Sequence, residues 1–157
     1  MISIRKGTKA DLPAAMELIH ELAVYEKAPE QVENSVARME EDGFGENPVY
    51  GFFVAEEDGK VRGMALHYYR YSTWKGKSLY LEDLIVREAD RGKGMGKLLL
   101  DAIVMEAKAQ NCMQVNWQVL DWNEPAIRFY EKLGAELDGE WINCRLNHQQ
   151  ILDYKAG

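Results

Sequence analysis

The chain has 157 residues, of which 46% are hydrophobic, and a formal net charge of -7. This length and hydrophobic content are typical of one compact domain, so we expect a single domain over residues 1–157. The excess of carboxylates argues against nucleic-acid binding, because phosphate backbones are bound by clustered Lys and Arg. The same excess suits cationic small molecules if some of the acids line a cleft.

The N-terminal residues are partly basic and contain no apolar run of signal-peptide length, and no other stretch is long enough to cross a membrane. The two cysteines, Cys112 and Cys144, have no metal-ligand spacing and are too few for a disulfide framework, which is typical of a reducing compartment. We therefore expect a cytoplasmic protein with two buried cysteines, no membrane partner and no metal.

A strand and two helices are predicted at the start of the chain. Residues 2–5 alternate like a short strand, and apolar residues then recur at helical spacing over residues 12–23. A second helix is predicted over residues 34–42, and we expect it to stop at Gly43 because glycine is favoured just past a helix end.

An antiparallel hairpin is predicted next. Residues 50–56 and 61–71 are rich in aromatic and β-branched side chains, and Asp58-Gly59 between them is the strongest short hairpin signal. A third strand is predicted over residues 78–86.

The second half of the chain predicts two strand–loop–helix units. Their elements are a glycine-rich loop at 91–96, a helix at 97–109, a strand at 113–120, a helix at 123–133 closed by Gly134, and a last strand at 141–146. Following a hairpin, such units predict a mixed sheet with helices on both faces, of α/β or α+β class.

The glycine-rich loop reads Arg-Gly-Lys-Gly-Met-Gly and lies between an apolar strand and a long helix. Backbone N–H groups and the helix dipole at such a junction can hold an anion. The spacing fits neither a Walker loop, which ends in Lys followed by Ser or Thr, nor the Rossmann pattern G-x-G-x-x-G. From these residues alone, both a phosphate-binding loop and an ordinary basic surface loop remain open.

Several separated motifs resemble the Gcn5-related N-acetyltransferase (GNAT) family over essentially the whole chain. The likeness is greatest to its spermidine/spermine and thialysine branch. The motifs are Glu21-Leu22-Ala23-x-Tyr25-Glu26, Asp42-Gly43-Phe44-Gly45, Tyr71-Ser72-Thr73-Trp74, Tyr80-Leu81-Glu82-Asp83, Arg91-x-x-Gly94-x-Gly96 and Trp122-Asn123-Glu124-Pro125. The resemblance implies acetyl-CoA as co-substrate, a homodimer, and a mostly antiparallel sheet whose fourth and fifth strands splay apart.

The resemblance also implies a coenzyme site, carried over position by position. Main-chain groups of Leu84, Ile85 and Val86 would pair with the pantetheine arm. Backbone N–H groups of the loop would hold the pyrophosphate, which involves Arg91, Gly92, Lys93, Gly94, Met95 and Gly96. Asn123 and Ala126 would also contact the coenzyme, although Asn123 is equally an ordinary helix N-cap.

Glu82 and Asp83 interrupt an otherwise apolar strand, where a buried carboxylate needs compensation. Either could simply cap a turn or form an ion pair. Successive strand side chains point to opposite faces, so we expect only one of the two to face a cleft. An ammonium, with a pKa near ~10.4, must lose a proton before it attacks a thioester, and a carboxylate can accept that proton. The resemblance implies this role for Glu82, through a water, with Asp83 as the secondary candidate.

Tyr130 matches the family residue that helps the coenzyme A thiolate to leave, whereas its own helix predicts only a core tyrosine. Neither cysteine lies in a nucleophile motif, so we expect direct transfer in a ternary complex.

The resemblance places Tyr25, Glu26, Ser72, Trp74 and Asn116 at the amine site, together with Glu82 and Asp83. Glu26 would pair with a distal ammonium. Ser72 stands where polyamine enzymes carry Asp, which favours a short lysine-like or thialysine-like amine over a polyamine. Two alternatives remain: a non-catalytic module that senses acyl-CoA or a polyamine, and an acetyltransferase for protein lysines or N-termini.

Overall fold

The computed structural model describes residues 1–157 and contains one five-stranded sheet. The strands are β1 (Ser3–Lys6), β2 (Gly51–Glu57), β3 (Lys60–Ser72), β4 (Gly76–Val86) and β5 (Gln114–Asn116). The α-helices are α1 (Leu12–Tyr25), α2 (Val36–Phe44), α3 (Met95–Ala109), α4 (Glu124–Lys132) and α5 (His148–Asp153). Short 3-10 turns occur at Lys9–Asp11, Pro29–Gln31 and Glu88–Asp90.

The sheet order is β1-β2-β3-β4-β5, and the first four strands are antiparallel. β5 runs parallel to β4 and pairs with it only at Ser78, Leu79 and Tyr80, near the beginning of β4. β4 continues to Val86 while β5 ends at Asn116, so the two strands pair only briefly. The predicted mixed, mostly antiparallel sheet is therefore confirmed.

Helices cover both faces of the sheet, as predicted. Apolar side chains of α1 and α2 form one core with alternate residues of β2 and β3 and with Ile85, and these strand residues are Phe52, Val54, Met64 and Leu66. α3 packs on the opposite face, where Gly63 leaves room for Leu99: a Cβ at Gly63 would lie 3.2 Å from the Leu99 Cδ1.

Several predicted elements differ from the structure. α2 does not stop at Gly43 but continues to Phe44. Gly43 packs against the Tyr50 ring, and a Cβ at this position would come within 2.3 Å of Tyr50 Cζ. Residues 141–146 form no strand, since no other segment of the sheet pairs with them. β5 is also shorter than predicted, and α5 was not predicted at all.

Contacts group the chain into two compact units, residues 1–118 and residues 119–157. The first contains the sheet with α1 to α3, and the second contains α4 and α5. No helix is both long enough and apolar enough to cross a membrane. Cys112 is half-buried, but Cys144 is exposed, so the prediction of two buried cysteines is wrong for Cys144. The single domain and the cytoplasmic location stay predictions.

Candidate active site

A β-bulge in β4 places two acids next to each other on the sheet. Leu66 of β3 pairs with Asp83, but the next residue, His67, pairs with Leu81, so Glu82 is an extra residue without a partner in β3. The bulge interrupts the alternation of side chains at this point. The expectation that alternation separates Glu82 and Asp83 onto opposite faces therefore does not apply here.

The pairing register identifies the face on which Asp83 lies. Asp83 is opposite Leu66, and Leu66 belongs to the core formed with α1. Residues directly opposite each other in a strand pair share a face. Asp83 therefore faces the same side of the sheet as α1, whose last turn is followed by Glu26.

Three carboxylates interact at this position. Burial, together with the negative charges of Glu82 and Glu26, raises the pKa of Asp83 to about 7. Burial also raises the pKa of Glu26. A carboxyl group with a pKa near neutrality can both accept and release a proton at physiological pH, which is a requirement for acid–base catalysis.

Aromatic side chains of β3 and β4 pack beside these acids. Tyr68 of β3 lies opposite Tyr80 of β4, with ring centroids 5.2 Å apart. The Tyr68 hydroxyl donates a hydrogen bond to Glu82 Oε2 at 3.3 Å. The Arg70 guanidinium lies 4.9 Å from the centre of the Tyr80 ring. Burial and the charge of Glu82 raise the pKa of Tyr68 to about 12, so its hydroxyl remains a proton donor at neutral pH.

The loop before α3 has the conformation of an anion-binding turn. Gly92 and Gly94 have φ values of 82° and 87°, in the left-handed region that favours glycine. A Cβ on either residue would meet no atom within 4 Å, so the space beside the loop is open to a ligand. The first helical hydrogen bond runs from the Leu98 N–H to the Gly94 carbonyl, so the amides from Gly92 onward are available for an anion. The Arg91 N–H is not, because it donates to the Glu88 carbonyl at 3.3 Å, so the predicted use of that amide is wrong. These features fit a diphosphate.

The far end of β4 offers a second feature that fits a coenzyme. Leu84, Ile85 and Val86 pair with β3 on one side, while β5 ends before it reaches them on the other. Their main-chain groups on that side can pair with an extended ligand in the manner of an added strand. Asn116 is the last residue of β5, opposite Tyr80, and its buried Oδ1 has no hydrogen-bond partner. A ligand N–H group would satisfy this acceptor.

Arg91 connects the loop to the end of α1. Its guanidinium lies 5.0 Å from the centre of the Tyr25 ring, and its Nε donates to the Val86 carbonyl at 3.3 Å. Tyr25, the residue that precedes Glu26 of the acidic cluster, therefore contacts Arg91, the first residue of the predicted diphosphate loop.

A profile of the acetyltransferase (GNAT) family matches residues 14–135, which include the bulge, the loop and β5. The chain belongs to the GNAT family. It is 39% identical over 143 residues to thialysine N-epsilon-acetyltransferase of Bos taurus, a match that covers 86% of this chain and 84% of that protein. It is also 35% identical to spermidine/spermine N(1)-acetyltransferase-like protein 1 of Homo sapiens, over 96% of this chain but 23% of that protein.

A solved structure of an aminoglycoside N-acetyltransferase in complex with CoA has the same fold. It superposes with a TM-score of 0.74 at 22% identity and covers 93% of this chain and 95% of that one. The family match and the relatives make this GNAT protein an acetyl-CoA-dependent N-acetyltransferase.

Two predicted amine-site residues of this GNAT chain lie in the turn between β3 and β4. The Ser72 hydroxyl accepts hydrogen bonds from the N–H groups of Trp74 at 3.3 Å and Lys75 at 3.0 Å, so it stabilises the turn. Trp74 is 85% exposed. Glu82 follows Gly76 by six residues along β4, a separation of about 20 Å. Within one chain, the turn and the acidic cluster are therefore not brought together.

The remaining predicted site residues lie in the second unit. Asn123 caps α4, since its Oδ1 accepts a hydrogen bond from the Ala126 N–H at 3.4 Å. Tyr130 is half-buried, and its ring centroid lies 5.5 Å from that of Phe129. The coenzyme roles of Asn123 and Ala126 and the leaving-group role of Tyr130 stay predictions.

Sequence reasoning missed the part that Tyr68 plays beside Glu82. Two aromatic residues, Tyr68 and Tyr69, follow each other in β3, and nothing in the sequence indicates which of them faces the acids. The register of β3 against β4 decides it, and that register depends on the bulge.

Proposed function

We propose that this GNAT enzyme transfers an acetyl group from acetyl-CoA to the primary amine of a small lysine-like or thialysine-like cation. The observation that carries the proposal is the group of three interacting carboxylates, Glu26, Glu82 and Asp83, at the bulge of β4. A group with this charge attracts an ammonium, and two of its members, Glu82 and Asp83, lie on β4, whose far end offers main-chain groups to the coenzyme.

The coenzyme is assigned to the loop and to the end of β4. Main-chain amides from Gly92 to Gly96 would hold the diphosphate, and the edge from Leu84 to Val86 would pair with the pantetheine amides. Bound acetyl-CoA supplies the thioester whose acetyl group the amine accepts. Asn116 Oδ1, buried and without a partner, would accept a hydrogen bond from a ligand N–H group near the thioester.

Proton transfer is assigned to the acidic cluster. The resemblance favours Glu82 as the base, whereas the pKa of about 7 supports Asp83 for the same role. One of them accepts the proton that the ammonium releases, so that the free amine attacks directly in a ternary complex. Glu26 would pair with a second cationic group of the substrate. Tyr130 would donate a proton to the departing sulfur.

A short amine is favoured over a long polyamine. The resemblance places Ser72 at the amine site, which would need a second subunit, since within one chain the turn lies away from the acidic cluster. Ser72 provides no carboxylate there, and its hydroxyl is occupied by the N–H groups of the turn. A thialysine acetyltransferase matches this chain over most of both proteins, which supports the same substrate class. A polyamine would need additional acids spaced along its length.

A homodimer is also proposed. The second unit exposes large apolar side chains, including Trp141 at 75% and Ile142 at 87%. Exposed apolar residues of this kind favour burial against a partner. Light scattering on the purified protein is the test, and a monomer at all concentrations would contradict this part of the proposal.

The main experiment combines calorimetry with a thiol-release assay. Calorimetry with acetyl-CoA should detect binding, and thiol release should be fastest with thialysine or lysine among an amine panel that includes ornithine, spermidine and a lysine peptide. Absence of binding at millimolar acetyl-CoA would overturn the function. Spermidine as the best substrate would overturn the substrate class, and the peptide as the best substrate would indicate a protein acetyltransferase.

A further inference from the structure

A network of ion pairs lies beneath the loop that precedes α3. Lys93 Nζ donates to Asp90 Oδ1 at 2.8 Å and to Glu57 Oε2 at 3.3 Å. Arg62 Nη1 lies 3.8 Å from Asp90 Oδ2. The network therefore joins the end of β2, the start of β3 and the loop itself.

Asp90 is the buried centre of this network, with only 4% of its surface exposed. Asp90 Oδ2 and Arg62 Nε are both buried without a hydrogen-bond partner. The contact between Arg62 and Asp90 Oδ2, which is partly buried and has no hydrogen bond, contributes little net stability, because desolvation offsets much of the attraction. The Lys93 side chain is 45% exposed, and ion pairs of an exposed lysine also add little, so stabilisation of the fold is a poor explanation for its two acidic partners.

The loop needs an external restraint. It contains glycines at positions 92, 94 and 96, and glycine has the greatest backbone freedom of any residue. Lys93 lies between the two glycines with positive φ, and its ammonium is held by two carboxylates outside the helix. Fixing the side chain of Lys93 thus restricts the backbone on both sides of it.

We infer that Asp90 and Glu57 are positioning residues for acetyl-CoA binding. These two acids hold Lys93, so that the loop amides are arranged for the diphosphate before the coenzyme binds. This inference rests on the proposed function. Holding a binding loop in its bound conformation improves affinity by reducing the ordering that binding would otherwise require. Lys93 then binds the diphosphate through its main-chain N–H, while its ammonium restrains the loop by pairing with Asp90 and Glu57.

A competing interpretation predicts the opposite change in acetyl-CoA affinity when an acid is neutralised. If the Lys93 ammonium bound a phosphate directly, Asp90 and Glu57 would compete with the coenzyme for it. Neutralising either acid would then free the ammonium and strengthen binding. Under the positioning role, neutralising either acid weakens binding.

The test compares Asp90→Asn and Glu57→Gln with the wild type by calorimetry with acetyl-CoA and by steady-state kinetics. We expect the Kd and the KM for acetyl-CoA to rise about fivefold or more, while kcat at saturating acetyl-CoA changes less than about twofold. Glu57 lies at the end of β2, so Glu57→Gln should disturb the core less than Asp90→Asn. The control is Asp101→Asn, which removes the exposed i,i+4 pair with Lys97 on α3 and should leave both constants unchanged.

Tighter or unchanged binding in both variants would overturn the inference, as would an equal loss of affinity in Asp101→Asn. Amide hydrogen exchange without coenzyme gives a second measurement. In Asp90→Asn, residues 92–94 should exchange faster, whereas amides in the middle of β3 should keep their protection. If wild-type protein binds no acetyl-CoA, the proposed function fails, and the exchange result still tests the restraint on the loop.

Discussion

The Tyr68 hydroxyl donates a hydrogen bond to the Glu82 carboxylate across the β3–β4 pair, at the position where the bulge leaves Glu82 without a strand partner. This bond orients a side chain whose backbone is irregular. We predict that Tyr68→Phe lowers kcat by about three- to tenfold, which corresponds to the loss of one hydrogen bond of 0.5–1.5 kcal/mol. Steady-state thiol release at saturating acetyl-CoA and amine measures the effect.

Tyr71→Phe is the matched control for this substitution. Tyr71 lies in the same strand and is 75% exposed, so loss of its hydroxyl should leave kcat unchanged. An equal decrease in both variants, or none in Tyr68→Phe, would contradict a role for the bond to Glu82.

The pH dependence of kcat/KM should report the acidic cluster. Because the pKa of Asp83 is about 7 in the free enzyme and the base must be deprotonated, kcat/KM should rise with pH up to about 7 and rise less steeply above it. In Asp83→Asn the inflection near pH 7 should disappear. If the inflection persists in Asp83→Asn and disappears in Glu82→Gln, Glu82 is the base, as the resemblance implies.

Asp83 should also make stability depend on pH. Its pKa is raised from 3.8 to about 7 on folding, so between these values the folded state holds a proton that the unfolded state has released. The free energy of unfolding therefore falls as pH rises from about 4 to about 7, by at most about 4 kcal/mol. Asp83→Asn should remove this decrease and be more stable than the wild type at pH 8, as measured by urea unfolding.

The exposed Asp121→Asn substitution is the control for that experiment, and its unfolding curve should follow the wild type at every pH. If the stability of the wild type rises between pH 4 and pH 7 by the same amount as that of Asp83→Asn, the raised pKa of Asp83 is contradicted.

Tyr130→Phe should lower turnover much more than substrate affinity. If the hydroxyl donates a proton to the leaving thiol, its loss should reduce kcat by about a hundredfold while the KM for the amine changes little. Tyr154→Phe, at an exposed position near the C-terminus, serves as the comparison. Unchanged turnover in Tyr130→Phe would leave the tyrosine with a purely structural role.

Local signals in the sequence predicted the parts of the fold that depend on local chemistry. Asp58 and Gly59 have φ values of 53° and 70°, the two positive values that a tight hairpin turn requires, and the hairpin forms where it was predicted. α3 and α4 also form close to their predicted positions, because the loop glycines and Asn123 mark their N-termini. A signal for α5 was present too, since Asn147 and Gln150 form a capping box.

Features that depend on pairing between distant segments could not be predicted in this way. Gly43 was expected to end α2, but it accommodates the ring of Tyr50, a contact that arises only when the sheet packs on the helix. The bulge at Glu82 is a property of register, and residue alternation alone placed Glu82 and Asp83 on opposite faces. The raised pKa of Asp83 follows from that register, because burial and two neighbouring charges coincide only in the folded sheet.

Under the proposed function, the early end of β5 separates acetyl-donor binding from amine binding. From Leu84 onward, β4 offers a ligand only peptide groups on that side, and every amino acid except proline provides these alike. Under the proposed function, donor binding depends on main-chain groups rather than on the side chains of Leu84 and Val86, whereas acceptor choice depends on the side chains of Glu26, Glu82, Asp83 and Asn116. Ile85 has to stay apolar because it belongs to the core. A library randomised at those four positions can be screened for new amines with the acetyl donor kept constant.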